Sequence, residues 1–365
     1  MSKSFALSTE QLKHLQIAEI IRQEIHSGRL ARGSQLLTDH ELAKKYKINR
    51  HTVAAGIAKL AAEGLVERAP RRGTIVTGKA TKSNVSNAVG VVSMSKGDVY
   101  NDLLQIITDK LIARQHYPIV INNSLMGEAS HSDECKLKVK TFLDCIVAGG
   151  SMPFGFIVDG YLQFPFEYVK YRNLHNIVFI LKYHHPERLQ PAKYALVDFY
   201  EAGRQAASYF IAKGYRKLAC LAVEERHYVG EWSSMQVMML NGFTKECQKH
   251  GLECDDTVFW QVLHGAPFQA TVGAYLADPK RRPQAFLLYS DSVIAFHLLP
   301  LLQELRLNYP RDIEFVGFFN TDFSRKYGFP SISVHEEKIA EAALDLLTRD
   351  EGDFDITIHP ELIVR

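Results

Sequence analysis

Cysteine is sparse in this sequence of 365 residues and forms none of the closely spaced pairs that hold metals. The five cysteines lie far apart, and no Cys-x-x-Cys spacing occurs among them. This scatter argues against a zinc site and against a small disulfide-stabilised domain. It is typical of a reducing compartment, so we expect a cytoplasmic protein.

Long hydrophobic runs are also lacking. One of the longest apolar stretches, residues 293–305, is interrupted by His297, Pro300 and Glu304, whereas a membrane-spanning helix needs about 20 mostly apolar residues. The first 16 residues mix charged side chains with apolar ones and contain no hydrophobic run followed by a small-residue cleavage site. We therefore expect neither a membrane segment nor a secretory signal.

The common motifs of metal-dependent and nucleophilic catalysis are missing too. The sequence has no His-Glu-x-x-His, no Gly-x-Ser-x-Gly and no complete phosphate-binding loop. Residues 73–80 match that loop except at Ala80, but their glycines flank a predicted strand. His184 and His185 have no nearby acidic or cysteine cluster beyond Glu187. We expect no catalytic residue, metal or cofactor, although an acid–base pair assembled from distant residues would leave no motif.

What the sequence does contain is an uneven distribution of charge. The chain is longer than one hydrophobic core usually organises, so we expect at least two folding units. Residues 1–82 carry 15 Lys and Arg against 7 Asp and Glu, a formal charge of +8, whereas the remaining residues carry 28 against 34, or −6. A basic segment joined to a larger acidic body indicates that the first part binds a polyanion.

The basic segment has the pattern of three helices followed by a hairpin. Apolar residues at helical spacing predict a first helix that ends before Gly28. Residues 38–41 contain the Thr and Glu of a capping box, which predicts a second helix, and Asn49 can cap a third. Residues 65–67 and 74–76 predict two short strands around a basic turn. This order is typical of a winged helix-turn-helix.

In such a domain the start of the third helix enters the major groove, while the wing lies along the backbone or minor groove. Arg50, His51 and Thr52 occupy that helix start, and Arg71 and Arg72 occupy the wing tip. Arg can bond guanine or phosphate, and Thr can contact a thymine methyl. Each residue alone also fits a solvated surface charge. Their order with the three helices and the hairpin favours contact with DNA.

These elements resemble the GntR-type winged helix-turn-helix over nearly all of residues 12–77. The matching segments are Ile-His-Ser-Gly-Arg-Leu at 25–30, Glu-Leu-Ala at 41–43, Asn-Arg-x-Thr-Val at 49–53 and Arg-Gly-Thr-Ile-Val at 72–76. The resemblance implies DNA contacts from Thr38 and His40, from Arg50 and Thr52, and from the wing glycine Gly73. His40 stands where the family usually has Arg, so the operator bases do not carry over.

A second domain follows a short polar segment. Residues 78–87 are small and polar without periodicity, which predicts a linker between a DNA-binding domain at 1–77 and an effector-binding and dimerisation domain at 88–365. In the second domain, short apolar strands alternate with helical patterns. This alternation predicts an α/β fold of parallel sheets flanked by helices, in two lobes with a ligand cleft between them.

Several segments of this domain match a known family. They are Val-Gly-Val-Val at 89–92, Gly-Tyr-Arg-Lys-Leu-Ala at 214–219, Asn-Gly-Phe at 241–243, Ser-Asp at 290–291 and Pro-x-Asp-Ile-x-Phe-Val-Gly-Phe at 310–318. They resemble the LacI/GalR effector domain, which is itself similar to periplasmic sugar-binding proteins. A GntR-type domain joined to this body is similar to the arabinose-responsive repressors of bacteria.

The resemblance implies a set of effector-binding residues. Asp291 would accept bonds from sugar hydroxyls, Asp198 would lie at the cleft, and the loop that contains Ser95, Asp98 and Tyr100 would close over the ligand. Carboxylates suit this role because they accept paired hydrogen bonds from vicinal hydroxyls. Asp291, directly after a predicted strand, fits a helix cap almost equally well.

Aromatic residues complete the expected site. The face of Trp232 can stack against the apolar side of a sugar ring, although tryptophan is more often a core or surface residue. Met239 and Phe319 stand where the family usually has Arg and Asp. These replacements remove polar partners, so the ligand is either a sugar or a more apolar or modified molecule.

These features predict a sequence-specific transcriptional repressor controlled by a small ligand. We expect a homodimer on double-stranded operator DNA, with a sugar such as L-arabinose as effector. The alternative is a sugar or sugar-phosphate enzyme with an accessory nucleic-acid-binding domain, which would show turnover. A secreted binding protein conflicts with the basic first domain and the missing signal sequence.

Overall fold

The computed structural model forms two compact units, Met1–Val85 with Gly150–Met152 and Ser86–Gly149 with Pro153–Arg365. The residues that the structure describes are 9–26, 29–69, 72–77, 85–93, 98–122, 133–148, 152–160, 176–183, 192–221, 235–263, 265–288 and 290–365.

The first unit consists of three helices and a hairpin. Its elements are α1 (Thr9–His26), α2 (Asp39–Tyr46), α3 (Arg50–Ala62), β1 (Val66–Ala69) and β2 (Gly73–Val76). The two strands pair antiparallel, with Val66 opposite Val76 and Ala69 opposite Gly73. The predicted three helices and wing are confirmed.

Local hydrogen bonds explain where α2 and α3 begin. Thr38 Oγ1 accepts a bond from the Glu41 amide at 3.3 Å, and the Glu41 carboxylate accepts one from the Thr38 amide at 2.8 Å. Asn49 Oδ1 accepts a bond from the His51 amide at 2.9 Å. Each cap gives otherwise unpaired helix-terminal N–H groups an acceptor, so both predicted helix starts are confirmed.

A small apolar core holds this unit together. A glycine allows α1 and α3 to approach closely, because a Cβ at Gly56 would lie 2.6 Å from Ile17 Cγ2 and 2.9 Å from the His14 carbonyl. The buried apolar residues are Ile17, Ala18, Ile21, Leu36, Leu42, Val53, Ile57, Leu60, Leu65, Val66 and Val76.

Strands and helices alternate through the second unit. The elements up to residue 197 are β3 (Val85–Ser93), α4 (Asp98–Ala113), β4 (Tyr117–Asn122), α5 (Asp133–Ala148), β5 (Met152–Asp159), β6 (Ile177–Leu181) and β7 (Ala192–Val197). The next are α6 (Phe199–Ala212), β8 (Leu218–Leu221), α7 (Met235–Lys249), β9 (Cys254–Asp255), α8 (Thr257–Leu263), α9 (Phe268–Ala277) and β10 (Ala285–Leu288). Then follow α10 (Asp291–Val293), a π-helical turn (Ile294–Leu298), α11 (Leu299–Glu304), β11 (Glu314–Phe318), α12 (Asp322–Tyr327), β12 (Ser331–Ser333), α13 (Glu336–Thr348), β13 (Asp355–Ile358) and β14 (Glu361–Ile363).

The strands form two six-stranded sheets, which define two lobes. The first-lobe sheet has the order β13-β7-β6-β5-β3-β4, and the second-lobe sheet has the order β14-β12-β11-β10-β8-β9. The pairings with a described register are parallel, except for β12 with β14. The central strands are apolar and buried, as parallel strands covered on both faces must be. The predicted α/β fold with parallel sheets is confirmed.

The chain passes between the lobes three times. It leaves β7 at Asp198 to enter α6, leaves β12 to enter α13, which packs on β6 and β7, and leaves β13 at His359 to enter β14. β7 and β13 run in parallel in one sheet, and β12 runs parallel to β11 in the other. All three crossovers therefore leave from carboxyl ends of strands. The carboxyl edges of the two sheets face each other, and we call the space between them the cleft.

Candidate nucleic-acid interface and ligand cleft

The first unit exposes the side chains predicted to meet DNA at two helix starts and the wing. Thr38 and His40 lie at the start of α2, and Arg50 and His51 lie in the first turn of α3, all of them exposed. Thr52 is half-buried one residue further on. The exposed starts of both helices carry the positive end of the helix dipole, which favours phosphate.

The wing carries the remaining predicted DNA contacts. Arg72 and Gly73 are exposed, and Gly73 has a φ of +76°, a conformation that side chains rarely adopt. A Cβ at Gly73 would lie 2.7 Å from the Gln35 amide nitrogen, so the wing turn packs closely on the segment before α2. Arg71 lies outside the described residues.

An ion pair that the sequence gave no sign of links the wing to α2. Arg68 Nη2 of β1 lies 3.2 Å from Asp39 Oδ2, where α2 begins. Gln35 also forms an isolated bridge with Ile75 of β2. These contacts are between residues about 30 to 40 positions apart in the chain, so no local pattern predicts them. They fix the position of the wing relative to the helix starts.

The predicted effector residue Asp291 is a buried cross-link at the cleft edge of the second lobe. Its side chain is 1% exposed. Oδ2 accepts bonds from the Thr321 amide at 2.8 Å and its hydroxyl at 3.2 Å, and Oδ1 accepts one from Ser331 Oγ at 2.7 Å. A Cβ at Gly317 would lie 2.1 Å from Oδ1, so only glycine leaves room for the carboxylate.

The environment of Asp291 has two consequences. Burial raises its pKa to about 6, although the bonds from Ser331 and Thr321 oppose the rise. The alternative that Asp291 caps the helix is wrong, because Ser290 is the cap and its Oγ accepts from the Val293 amide at 3.4 Å. Both carboxylate oxygens of Asp291 already serve the protein in this structure.

Asp198 lies at the first crossover, between β7 and α6. It caps α6 by accepting a bond from the Glu201 amide at 3.0 Å, and its side chain is about one-third exposed. His359, at the third crossover, has its Nδ1 3.9 Å from Asp198 Oδ2. Two of the three connections between the lobes therefore approach each other through these side chains.

Phe319 directly follows β11 at the same edge of the second-lobe sheet. It has a φ of +86° and is half-buried, with its ring 4.5 Å from that of Phe318. The Phe318 ring lies 5.9 Å from that of Phe199, the first residue of α6. An aromatic cluster thus connects the end of β11 with the crossover beside Asp198.

Other predicted effector residues are not described with side chains. Asp98 begins α4 and Tyr100 lies in its first turn, but their side chains, like Ser95 and Trp232, lie outside the described residues. Met239 is fully buried within α7. Met239 therefore belongs to the core. The Arg that the family usually has at this position would instead offer the ligand a polar partner.

Sequence reasoning missed three buried polar residues at the cleft edges. Asp159 and Lys182 lie at the carboxyl ends of β5 and β6, 1% and 4% exposed, and Gln236 lies in the first turn of α7, fully buried. An apolar strand that ends in a charged residue is the signal for the first two. Nothing in the sequence around Gln236 distinguishes it from an exposed helical residue.

The cysteines and acidic groups give no sign of metal chemistry. Burial raises the pKa of Cys247 and of Cys254 to about 12, which keeps both thiols protonated and unreactive. Across the described ranges, no group of three His, Cys, Asp or Glu side chains is arranged to hold a metal ion. His184 and His185 lie outside these ranges. No helix in the described part of the chain is long and apolar enough to cross a bilayer.

Comparison with protein families divides the chain in the same order. Residues 13–76 match the family described as bacterial regulatory proteins, gntR family, and residues 207–364 match the periplasmic binding protein-like domain. The resemblance of the two halves to these families is confirmed. The second match lies within the second unit and includes Asp291 and Phe319.

The alignments with individual relatives cover nearly the whole chain or about half of it. The chain is 22% identical to an arabinose metabolism transcriptional repressor of Geobacillus stearothermophilus, over 97% of this chain and 96% of the relative. It is 27% identical to the HTH-type transcriptional repressor PurR of Vibrio vulnificus, over 45% of this chain and 49% of that relative. Both are transcriptional regulators, which favours the regulator over the sugar-acting enzyme.

A solved structure shares the fold of the second unit. A regulatory protein of the LacI family from Chloroflexus aggregans superposes with a TM-score of 0.61 at 17% identity, covering 77% of this chain and 98% of that one. This similarity shows that the two-lobed domain has a LacI-like fold.

Proposed function

We propose that a small ligand in the cleft controls the operator binding of this transcriptional regulator. Its DNA-binding domain is a GntR-type winged helix, and its ligand-binding domain has a LacI-like fold. The effector is a sugar such as L-arabinose, and the regulator is a cytoplasmic repressor. Residues 1–77 bind the operator, residues 78–87 link the domains, and residues 88–365 bind the effector and dimerise.

One observation carries the DNA-binding part of this proposal. The starts of α2 and α3 and the wing expose polar or basic side chains, and the basic residues outnumber the acidic ones in this unit. Lys and Arg on such a surface neutralise phosphates, while the start of α3 is available for base edges. The proposed contacts are made by Thr38, His40, Arg50, His51, Thr52, Arg71, Arg72 and Gly73.

The topology of the second unit supports the effector part. The lobes are joined by three crossovers at the carboxyl edges of their sheets, where parallel α/β sheets bind ligands. The proposed ligand-binding residues are Ser95, Asp98, Tyr100, Asp198, Trp232, Asp291 and Phe319. Asp291 supports the site by bonding Thr321, which follows β11, and Ser331, the first residue of β12.

An exposed apolar edge in the first lobe supports the proposed homodimer. Two winged helices read two half-sites only if their bodies associate. The edge strand β4 exposes Tyr117, 71% accessible, together with Ile119 and Val120. Ile112 at the end of α4 is exposed as well. Such an edge invites pairing with another chain, and a second copy is the partner that the operator requires.

The switch works by linkage. A ligand that binds the closed lobes more tightly than the open ones shifts the population towards closure. If closure changes the distance between the two DNA-binding units so that it no longer matches the operator half-sites, effector and operator weaken each other's binding by the same factor. A ligand with equal affinity for both states would shift nothing.

Fluorescence anisotropy tests the proposal. The purified protein is titrated onto duplexes from its own upstream region at fixed salt, with and without L-arabinose, D-ribose, D-xylose or D-galactose. We expect tight, sequence-selective binding that one of these sugars reverses. Equal affinity for operator and scrambled duplexes would refute the DNA-binding part, and selective binding that no sugar alters would refute the sugar effector.

A further inference from the structure

Gln236, a buried side chain in the first turn of α7, has an amide without a hydrogen-bond partner in the described part of the chain. Gln236 is fully buried, and among the residues the structure describes, neither Nε2 nor Oε1 of its amide has a hydrogen-bond partner. A glutamine amide offers two donors and one acceptor. Leaving them unpaired away from water opposes folding, and such groups are rare in native proteins.

The helix that carries Gln236 runs alongside α6 in the same direction. A Cβ at Gly203 of α6 would lie 1.9 Å from the Met239 carbonyl of α7. Further along both helices, Ser208 Oγ donates to Glu246 Oε1 at 3.1 Å. From the first contact to the second, the residue numbers increase in both helices, so the helices are parallel.

This register locates Gln236 at the cleft. Because the two helices are parallel and in this register, the first turn of α7 lies level with the start of α6. Asp198 connects the two lobes at that point. α7 follows β8, and β8 pairs in parallel with β10, the strand that precedes Asp291. Gln236 therefore lies at the same edge of the second-lobe sheet as Asp198 and Asp291.

The neighbouring polar groups at this edge are already bonded within the protein. Asp198 Oδ1 accepts from Glu201, and both oxygens of Asp291 accept from Thr321 or Ser331. Among the residues that the structure describes, the amide of Gln236 therefore has no protein partner, and a bound ligand can supply one.

We propose that the amide of Gln236 recognises the effector, and that the effector is a polyol with vicinal hydroxyl groups. One hydroxyl accepts from Nε2 while its neighbour donates to Oε1. The carboxylates of Asp198 and Asp291 at the same edge accept bonds but donate none when ionised, so a ligand that reaches them as well must be rich in O–H donors. This inference rests on the proposed function and adds the residue that selects the ligand.

The chain offers a matched pair of glutamines for the test. Gln205 of α6 is half-buried, and its Nε2 donates to the Pro360 carbonyl at 2.9 Å while its Oε1 accepts from the Leu362 amide at 2.9 Å. Methionine has nearly the same volume and no strong hydrogen-bonding group. Nε2 of Gln205 also donates to Glu201 Oε1 at 3.1 Å. Q236M removes an unpaired amide, whereas Q205M breaks these three bonds.

Thermal unfolding without any sugar is the first measurement. We expect Q236M to unfold at the wild-type temperature or above it, because removal of an unpaired amide is neutral or stabilising. We expect Q205M to unfold at a lower temperature. If Q236M is destabilised as much as Q205M, the amide is satisfied within the protein, and the inference is overturned.

Calorimetric titration with L-arabinose, D-ribose, D-xylose and D-galactose is the second. We expect one of these to bind the wild type and to bind Q236M about tenfold or more weakly, with operator affinity in the absence of sugar unchanged. Equal sugar affinity in the two proteins overturns the role of Gln236. Selective operator binding by a wild type that takes up none of the four overturns the polyol. Loss of operator selectivity alongside normal sugar binding would refute the DNA-binding proposal and leave Gln236 in place.

Discussion

Arg68 on the first wing strand and Asp39 at the start of α2 form an ion pair, with Nη2 3.2 Å from Oδ2. The pair connects the two parts of the domain that we propose to contact DNA. Arg68 is half-exposed, so the pair adds little to stability, and its main effect is on the position of the wing.

Asp39→Asn should therefore alter DNA selectivity more than folding. We expect the free energy of unfolding to change by less than about 1 kcal/mol. Scrambled duplexes should bind more tightly, because a negative charge near the phosphates is lost and Arg68 is released. Anisotropy on operator and scrambled duplexes at fixed salt measures the ratio of the two affinities. The control is Glu67→Gln on β1, the strand that carries Arg68. An unchanged ratio for Asp39→Asn would contradict the role of the pair.

Arg50→Ala tests the start of α3. Loss of an arginine that bonds a base edge should weaken operator binding by about 1–3 kcal/mol, or roughly 5- to 150-fold. Lys59→Ala, near the other end of the same helix and also exposed, should change operator binding much less. Sugar affinity should stay the same in both variants. A comparable loss of sugar binding in Arg50→Ala would count against the separation of the two domains.

The raised pKa of Asp291 predicts a pH dependence of stability. Its pKa is about 6 in the folded protein, against 3.8 for the ordinary side chain, so the folded state holds more protons between these values. Stability contributed by this group is therefore present at low pH and is lost as the pH rises from about 4 to 6. Above pH 7 the contribution of Asp291 to the free energy of unfolding no longer changes with pH.

Asp291→Asn removes this titration. We expect the free energy of unfolding of the wild type, relative to the variant, to fall between about pH 4 and pH 6 and then to level off. Urea denaturation across this range measures the difference. A difference that rises with pH would show that Asp291 is ionised in the folded protein throughout the range.

Lys193 should stabilise the end of α13. Its Nζ donates to the carbonyls of Leu346 and Arg349 at 2.6 and 2.7 Å, and to Asn176 Oδ1 at 2.9 Å. Lys193→Met leaves these acceptors unpaired, so we expect a loss of about 1–3 kcal/mol in urea denaturation. The exposed Lys338→Met on the same helix is the control, and equal stability of the two variants would refute the capping role.

The apolar edge of the first lobe makes the dimer testable. Tyr117→Asp combined with Ile119→Lys places charges on β4, which should prevent pairing with a second copy. We expect monomers in sedimentation at micromolar concentration, with weaker operator binding because two half-sites are no longer joined. Val364→Asp, also at an exposed apolar residue, should leave the assembly intact. A doubly substituted protein that remains dimeric would rule out this edge.

Local patterns allowed prediction of the DNA-binding unit almost completely. The caps of α2 and α3 depend on residues within three positions of one another, such as Thr38 with Glu41. The cleft was less predictable because its contacts are distant. Asp291 meets Thr321 and Ser331, 30 and 40 positions away, and the burial of Gln236 depends on how helices pack.

The last strands were also beyond sequence reasoning. β13 joins the sheet of the first lobe and β14 joins that of the second, although only two residues separate them. Short strands at sheet edges carry weak alternation, and no composition shift marks the crossover at His359. Partner choice there depends on the two sheets already being present.

The positions of β13 and β14 also determine the order in which the two domains can fold during translation. Each of these strands supplies one outer strand of a sheet, and together they span residues 355–363. During translation the winged helix can fold from the first 76 residues, since domains fold as units with the amino-terminal one first. Neither sheet of the ligand-binding body can be completed until residues 355–363 have been synthesised and have left the exit tunnel. The DNA-binding domain of a nascent chain can therefore be folded before the ligand-binding domain that controls it is complete.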